Sequence, residues 1–220
     1  MSGYNNSRSR SFRIFDVVCA LGGLFILVPV FVLAALAIIL DDGGPVFFRQ
    51  VRIGLDGAPF RIWKFRTMTA GAAGTAVTAA DDHRITRVGA VLRRWKIDEL
   101  PQLLNVIAGE MSLVGPRPEV PRYVDIHAAV WRAILSVRPG ITDLATLMYR
   151  DEEQTLSKAV DTDAIYREII LPDKLQLSFR YLQLRSFRRD LKLLLMTIAS
   201  SISGRACRSA ACLLIENRSV

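Results

Sequence analysis

The first hydrophobic feature of the chain is an uncharged run, VVCALGGLFILVPVFVLAALAIIL, which extends from Val17 to Leu40. As a helix rising about 1.5 Å per residue, this run is long enough to cross roughly 30 Å of hydrocarbon. Pro29 lies near its centre, where it removes one helical hydrogen bond and bends the axis. The pattern predicts a membrane helix, either as a kinked span or as a re-entrant hairpin with both ends on one side.

Basic residues flank the apolar run on both sides, namely Arg8, Arg10, Arg13, Arg49 and Arg52. Because basic flanks mark cytoplasmic ends, this symmetry favours two cytoplasmic ends. Many spanning helices nevertheless tolerate a central proline, so the residues alone favour a span over a hairpin.

A β-rich stretch follows, VFFRQVRIGLDGAPFRIWKFRTM, in which residues 54–57 separate two runs and predict a hairpin turn. Alternation along the second run places Lys64 and Arg66 on one face of a strand. That face is either a solvated basic surface or part of an anion site. The next residues, TAGAAGTAVTAADDHR, are small and polar, which predicts a loop.

Helical spacing then relates a set of apolar residues, namely Leu100, Leu103, Leu104, Ile107 and Met111. A proline is acceptable in the first turn of a helix, so the helix is predicted to begin within Asp98 to Pro101. Asp98 and Glu99 then lie at a helix N-terminus. They are either ordinary caps that suit the helix dipole or a catalytic pair of carboxylates.

Proline and glycine fix the backbone around two arginines. Arg117 lies between Pro116 and Pro118, and Arg138 precedes Pro139 and Gly140. A further helix is predicted around residues 125–136. From residue 151 to residue 202 the pattern is mainly helical with a break at Pro172, and basic residues alternate with leucines near its end. That last part is either an interfacial membrane helix or a basic-faced core helix.

Composition narrows the class of protein. The 220 residues are 51% hydrophobic, which argues against a disordered chain and fits one domain. A net charge of +8 points to anionic partners such as phosphorylated ligands, acidic lipids or nucleic acid. The three cysteines lack C-x-x-C spacing and the two histidines stand alone, so neither a disulfide framework nor a zinc site is indicated.

The charged residues in fixed backbone suggest a phosphate site. Arg93, Arg117 and Arg138 offer guanidinium groups, which match phosphate bidentately. The carboxylates of Asp98 and Glu99 could hold Mg²⁺ against a diphosphate, and an aspartate can itself attack phosphorus. Each residue taken alone is a weak signal.

Several stretches together resemble the bacterial sugar transferase family, the monotopic polyprenyl-phosphate phosphoglycosyl transferases. They are FDVVCALGGLFILVPVF, GPVFFRQVRIGLDGAPFRIWKFRTM, DDHRITRVGAVLRRWKIDELPQLLNVIAGEMSLVGPRPE and VRPGIT, in this order from about Arg13 to Ile198. The order and natural spacing make the resemblance specific. Lys96 departs from it, because a small polar residue is expected two positions before the aspartate.

The resemblance implies a reaction and roles for named residues. Asp98 matches the nucleophile that attacks the β-phosphorus of a UDP-sugar and releases UMP, after which undecaprenyl phosphate takes the sugar-phosphate from the enzyme. Glu99 would handle a proton or the metal, and Mg²⁺, with Asp98 as ligand, would neutralise the diphosphate. Arg93 and Arg117 match arginines that bind phosphate. The proline-broken re-entrant helix of the family matches Pro29, which reverses the preference for a span.

Three further basic residues, Lys64, Arg66 and Arg138, are added as candidates for phosphate binding. The expected partners are a UDP-sugar, undecaprenyl phosphate and membrane lipids, without nucleic acid, and a homo-oligomer is left open. The expected location is the cytoplasmic face of the bacterial inner membrane. The alternative is a non-catalytic membrane adaptor that binds acidic lipids, in which Asp98 and Glu99 merely cap a helix.

We therefore predict an α-rich α+β fold with a re-entrant membrane helix hairpin over residues 13–41. A small β-hairpin and a cytoplasmic helical catalytic domain with interfacial amphipathic helices follow, over residues 42–203. Residues 1–12 and 204–220 are predicted tails.

Overall fold

A computed structural model describes residues 6–71, 78–157 and 161–203, in which helices predominate over two small sheets. The helices and strands in chain order are α1 (Asn6–Asp42), β1 (Phe47–Ile53), β2 (Pro59–Phe65), α2 (Arg87–Arg94), α3 (Leu103–Ala108), β3 (Ser112–Val114), α4 (Ala129–Leu135), β4 (Gly140–Thr142), α5 (Leu144–Met148), α6 (Glu152–Leu156), α7 (Thr162–Ile165), α8 (Leu171–Leu184) and α9 (Phe187–Ser203). The predicted α-rich α+β class is confirmed. The tail predicted over residues 204–220 lies outside the described residues.

Helix α1 is continuous through Pro29, so the predicted bend does not interrupt its secondary structure. It begins at Asn6, and part of the predicted N-terminal tail is therefore helical. From Phe12 to Asp42 it is long and apolar enough to cross a membrane, and 11% of its most apolar window is buried. A core helix of a soluble domain would be mostly covered. Its re-entrant path stays a prediction.

One stripe of α1 packs against the rest of the protein along most of its length. Ala20 joins the core formed with Leu103 and Val106, while Ala34 and Ile38 pack beside Phe65 and Leu92. The other face exposes large apolar side chains, among them Val18, Leu21, Phe25, Ile26, Val32, Leu33, Leu36, Ile39 and Leu40. A surface of this size marks contact with a partner or with lipid.

Polar contacts attach both ends of α1 to the same folded body. Arg13 donates to the carbonyl oxygens of Val106 at 2.5 Å and Ile107 at 3.0 Å. Near the other end, Asp41 accepts the Val88 N–H at 3.0 Å. The helix therefore lies along the domain rather than extending away from it as a single-ended tether.

Strands β1 and β2 form the predicted hairpin, antiparallel with Phe47 opposite Phe65 and Ile53 opposite Pro59. The turn is a 3₁₀ helix, Leu55–Gly57, in which Asp56 and Gly57 have φ of 54° and 78°. Both residue types tolerate this left-handed region better than others do. The described parts of the predicted loop, residues 69–71 and 78–84, contain no helix or strand, and residues 72–77 lie outside the described residues.

The helix predicted from Asp98–Pro101 to Met111 is shorter than expected. A 3₁₀ helix, Ile97–Gln102, leads into α3. The residue that follows the end of α3, Gly109, has a φ of 88° and terminates the helix. Met111 precedes β3, a strand that the periodicity did not indicate, because a three-residue strand leaves no alternation to detect. The helical spacing of Met111 was thus coincidental.

Strands β3 and β4 are parallel, with Ser112 opposite Gly140. Just beyond β3, two segments of the backbone approach closely, since a Cβ atom on Gly140 would lie 2.1 Å from the nitrogen of Gly115. Only glycine fits there. The crossing places the GPRP turn of Arg117 directly beside the RPG turn of Arg138.

The C-terminal half is helical, but Pro172 does not break it. Helix α7 continues through a π-helix, Tyr166–Ile170, into α8, which has Pro172 in its first turn. In α9, apolar side chains of one face are exposed: Phe187, Leu191, Leu195, Ile198 and Ile202. Their spacing is that of an amphipathic helix. An interfacial position for α9 stays a prediction.

Candidate active site

The chain reverses direction after α2, and this reversal places Asp98 and Glu99 next to strand β2 of the hairpin. Helix α2 begins at the cap Thr86, whose hydroxyl accepts the Gly89 N–H at 3.0 Å, and it ends at Arg94. Lys96 then adopts the left-handed region, with φ 57° and ψ 23°, and starts the 3₁₀ helix of Asp98 and Glu99. A non-glycine residue in this region is strained and is often found at functional sites. The 3₁₀ helix packs on β2.

Glu99 is held by two cations. It accepts hydrogen bonds from Lys64 at 3.0 Å and from both terminal nitrogens of Arg117, one at 2.9 Å. Burial alone would raise the pKa of Glu99, but Arg117 and Lys64 hold it well below its usual range. Glu99 is therefore a permanent carboxylate at neutral pH, and both its oxygens are engaged.

Asp98 has a different environment from its neighbour. Its residue is 7% exposed, and Oδ1 is buried without a hydrogen-bond partner among the described residues. Burial raises the pKa of Asp98, and the Glu99 charge raises it further, while Lys64, Lys96 and Arg93 oppose the rise. A buried polar atom without a partner costs free energy and calls for an explanation.

Capping does not explain Asp98. The cap position of the 3₁₀ helix is Lys96, and no side chain accepts a hydrogen bond there. The N–H of Glu99 donates instead to the carbonyl oxygen of Lys96 at 3.3 Å. The carboxylate of Asp98 is thus available to react with, or bind, a group that the described part of the chain does not supply.

Two cations complete the centre of the site. Burial lowers the pKa of Lys64, although Glu99 acts in the opposite direction. Burial would also lower the pKa of Arg117, but the Glu99 charge and hydrogen bonds raise it above the usual range. Lys64 comes from β2 and Arg117 from the turn after β3, so two distant segments converge on one carboxylate.

Arg93 lies at the edge of the site. It binds Glu153 through two nitrogens, at 2.6 and 3.3 Å, and donates to the Thr67 hydroxyl at 3.4 Å. Its charge also acts on Asp98. The structure thus brings Arg93 within electrostatic reach of Asp98, and its role in binding phosphate stays a prediction.

Two of the predicted phosphate ligands are engaged elsewhere. Arg66 is 6% exposed, forms an ion pair with Asp42 and donates to the carbonyl oxygen of Pro45 at 2.7 Å. It follows the end of β2, where it closes the junction with α1 rather than continuing the face of Lys64. Arg138 donates to the carbonyl oxygen of Gly109 at 2.9 Å. Gly109 follows the C-terminus of α3, whereas the two acids precede its N-terminus.

The structure adds a set of polar and charged residues that the sequence did not connect with the two acids. They form a connected chain of contacts next to Arg117, and we call them the Glu119 cluster: Glu119, Arg52, Tyr166, Lys174 and Glu152. Glu119 follows the GPRP turn and stood in a quoted motif. In a regular α-helix, side chains eight residues apart are separated by two turns and by about 80° around the axis, so helical spacing did not predict that Tyr166 and Lys174 would share a partner.

Of the two acids, Asp98 has the carboxylate oxygen that could bind a metal ion arriving with a substrate. Among the described residues, no group of three or more His, Cys, Asp or Glu side chains could hold a metal. Mg²⁺, however, is commonly held by one or two carboxylates together with substrate phosphates and water. The free Oδ1 of Asp98 is a ligand of this kind, whereas the oxygens of Glu99 are already bound by cations.

Comparison with known proteins identifies the family. The model of the bacterial sugar transferases matches residues 7–204. This chain belongs to that family. A UDP-glucose:undecaprenyl-phosphate glucose-1-phosphate transferase of Caulobacter vibrioides is 43% identical over 196 residues, which cover 87% of this chain and 69% of the relative. An uncharacterized sugar transferase of Bacillus subtilis, EpsL, is 37% identical, with 84% of each chain covered.

Longer members of the family also match this chain. The UDP-glucose:undecaprenyl-phosphate glucose-1-phosphate transferase of Escherichia coli K12 is 34% identical over 212 residues. The match covers 94% of this chain but 42% of that relative. The bacterial sugar transferase described here thus spans less than half the length of some relatives.

Proposed function

We propose that this protein transfers a sugar 1-phosphate from a UDP-sugar to undecaprenyl phosphate and releases UMP. The observation that carries the proposal is a buried carboxylate oxygen of Asp98, which has no hydrogen-bond partner among the described residues and feels the charges of Lys64, Lys96 and Arg93. The functions that name the Caulobacter and Escherichia relatives support the same reaction and indicate UDP-glucose as the first donor to try.

In the first half-reaction, a carboxylate oxygen of Asp98 attacks the β-phosphorus. The bond from this phosphorus to the oxygen that bridges the two phosphates breaks, and UMP leaves with that oxygen. The product is an acyl phosphate that carries the sugar. In the second half-reaction, a phosphate oxygen of undecaprenyl phosphate attacks the same phosphorus and displaces the Asp98 carboxylate.

Glu99 and its cations prepare the site for phosphate. An ammonium has three donors, so a phosphate oxygen can share Lys64 with Glu99. Arg117 is bound at both terminal nitrogens, so a diphosphate must compete with Glu99 for them or share them. When bound, Mg²⁺ would be held by Asp98 and the substrate phosphates and would supply positive charge against the diphosphate.

The apolar length of α1 and its contacts with the folded domain support a position at the cytoplasmic face of the inner membrane. Because both ends of the helix bind one folded body, a re-entrant path keeps both ends on the same side. The exposed apolar faces of α1 and α9 would then contact lipid. The phosphate of the lipid acceptor lies at this interface, within reach of a domain held there.

The test is a panel of UDP-sugars incubated with the protein, Mg²⁺ and undecaprenyl phosphate, with UMP release as the readout. We expect release with at least one UDP-sugar and formation of a lipid-linked diphosphate sugar. A burst of UMP without the lipid acceptor would reveal the covalent intermediate. Absence of UMP release with every donor would favour the non-catalytic membrane adaptor instead.

A further inference from the structure

The Glu119 cluster lies close to Arg117, and its members are joined by buried and partly buried hydrogen bonds and ion pairs. The Tyr166 hydroxyl donates to Glu119 Oε1 at 2.6 Å, and Lys174 Nζ lies 3.8 Å from the same oxygen. Arg52 Nη1 lies 3.5 Å from Glu119 Oε2. Lys174 also donates to Glu152 at 3.0 Å. None of these five residues has a role in the proposed chemical steps.

The cluster is connected to the turn that carries Arg117. Arg52 donates to the carbonyl oxygen of Pro118 at 3.2 Å, and the Ile53 N–H donates to the carbonyl oxygen of Glu119 at 2.9 Å. On the other side of the turn, the Gly140 N–H donates to the carbonyl oxygen of Pro116 at 3.0 Å. Hydrogen bonds therefore fix the backbone before and after Arg117, and Arg52 makes the bond to Pro118, the residue that follows Arg117.

Glu119 helps to fix Arg52, together with Gln50, whose Oε1 accepts hydrogen bonds from Arg52 Nη2 at 2.8 Å and Nε at 3.2 Å. Glu119 is 6% exposed, and its two oxygens bind different partners, Arg52 through Oε2 and Tyr166 with Lys174 through Oε1. Burial and the charge of Glu119 raise the pKa of Tyr166, so the phenol stays protonated and donates. Without that donor, the carboxylate would be free to rotate toward Lys174 and loosen its contact with Arg52.

The π-helix explains how Tyr166 and Lys174 reach one carboxylate oxygen. In a regular α-helix, eight residues turn through two full turns plus about 80°, so the two side chains would diverge. A π-helix has i→i+5 bonds and roughly 4.4 residues per turn, and its presence over Tyr166–Ile170 removes nearly all of this difference. Pro172 has no N–H for the carbonyl oxygen of Glu168, which favours the wider turn.

We propose that Arg52, Glu119 and Tyr166 are positioning residues that set the orientation of Arg117 for the diphosphate of the donor. The inference rests on the proposed function, because it assigns Arg117 to the UDP-sugar. Its physical basis is a continuous chain of contacts from the π-helix through Glu119 and Arg52 to the turn of Arg117. Guanidinium binding to phosphate depends on orientation, so a small rotation of Arg117 weakens it.

The structure offers a matched pair of tyrosines for the test. Tyr123 and Tyr166 lie in one buried cluster with ring centroids 5.0 Å apart. The hydroxyl of Tyr123 donates to Asp163 at the surface, whereas that of Tyr166 donates to Glu119. Tyr166→Phe and Tyr123→Phe each remove one hydroxyl and one hydrogen bond to a carboxylate. They differ in whether that carboxylate belongs to the Glu119 cluster.

We expect Tyr166→Phe to lower kcat/KM for the UDP-sugar by about tenfold, the effect of one hydrogen bond to a charged group, mainly through KM. Tyr123→Phe should stay within about twofold of wild type. Glu119→Gln should resemble Tyr166→Phe, and Arg52→Lys should retain part of the activity. Single-turnover UMP release without lipid acceptor measures the first half-reaction alone.

Two results would overturn the inference. Equal kinetics of Tyr166→Phe and Tyr123→Phe, with similar melting temperatures, would make the cluster merely structural. A crystal or cryo-EM structure of Tyr166→Phe with an unmoved Arg117 would do so without any activity measurement. Failure of the proposed function looks different, because wild type would then release no UMP from any UDP-sugar.

Discussion

Replacement of Lys64 tests whether Asp98 must be ionised to act. Lys64 is the strongest single cation acting on the Asp98 carboxylate, whose pKa burial already raises. A nucleophilic carboxylate is active only without its proton. As pH falls through the pKa of Asp98, UMP release should therefore decline. Lys64→Met removes a charge that favours the ionised form, so the pKa of Asp98 should rise further.

The size of the effect follows from the proximity of the charges. A nearby opposite charge lowers a carboxyl pKa by about 1 to 3 units, so its loss should move the acid limb of the pH profile upward by at least about one unit. Below the pKa, each unit reduces the ionised fraction about tenfold. The loss of activity in Lys64→Met should accordingly be larger at low pH than at high pH.

The assay is kcat/KM for the UDP-sugar as a function of pH, with Lys64→Arg as the control that keeps the charge. Burial lowers the pKa of Lys64, so wild type should also lose activity at high pH as this ammonium deprotonates. Arginine should keep the acid limb in place and move the basic limb upward. An acid limb that is unchanged or lower in Lys64→Met would refute the reasoning.

Four further outcomes are expected. Asp98→Asn should lose at least roughly 10³-fold in UMP release, and substantial residual activity would remove Asp98 as nucleophile. Arg117→Lys keeps the charge without the fork, so kcat/KM should fall by about 10- to 100-fold, and wild-type kinetics would make Arg117 structural. Excess EDTA should stop UMP release, and unchanged rates would exclude Mg²⁺. Ser7→Cys should be protected from labelling in intact spheroplasts but labelled when combined with Pro29→Leu; labelling without the Pro29 change would contradict the re-entrant path.

Local signals predicted much of the fold. The hairpin followed from β-rich runs around a glycine-containing turn, and the long apolar helix α1 followed from an uncharged run of that length. The acids were correctly placed at the start of a helical segment. The sequence left open whether Asp98 caps a helix or acts as a functional carboxylate. That choice depends on whether a backbone N–H donates to Asp98, and among the described residues Oδ1 has no donor.

Other features depended on contacts between distant segments. Arg66 looked equivalent to Lys64 by alternation, yet β2 ends at Phe65 and Asp42 binds Arg66 at the junction with α1. Arg138 sat in a rigid turn like Arg117, but the turn points it at the carbonyl oxygen of Gly109. A rigid turn predicts that its side chain has a fixed direction. Which group that side chain contacts depends on the tertiary fold.

The attachment of α1 along its length constrains how the domain meets the membrane. From Arg13 to Asp41 a straight helix would be about 42 Å long, and contacts with the domain occur near both ends and between them. If α1 crossed the bilayer perpendicular to its plane, the domain would be drawn through the hydrocarbon with it. The charged groups of the site, Lys64 and Arg117 among them, would then pay a large desolvation cost. The proposed shallow, re-entrant path would avoid this cost and would hold Asp98 near the depth of the lipid phosphates.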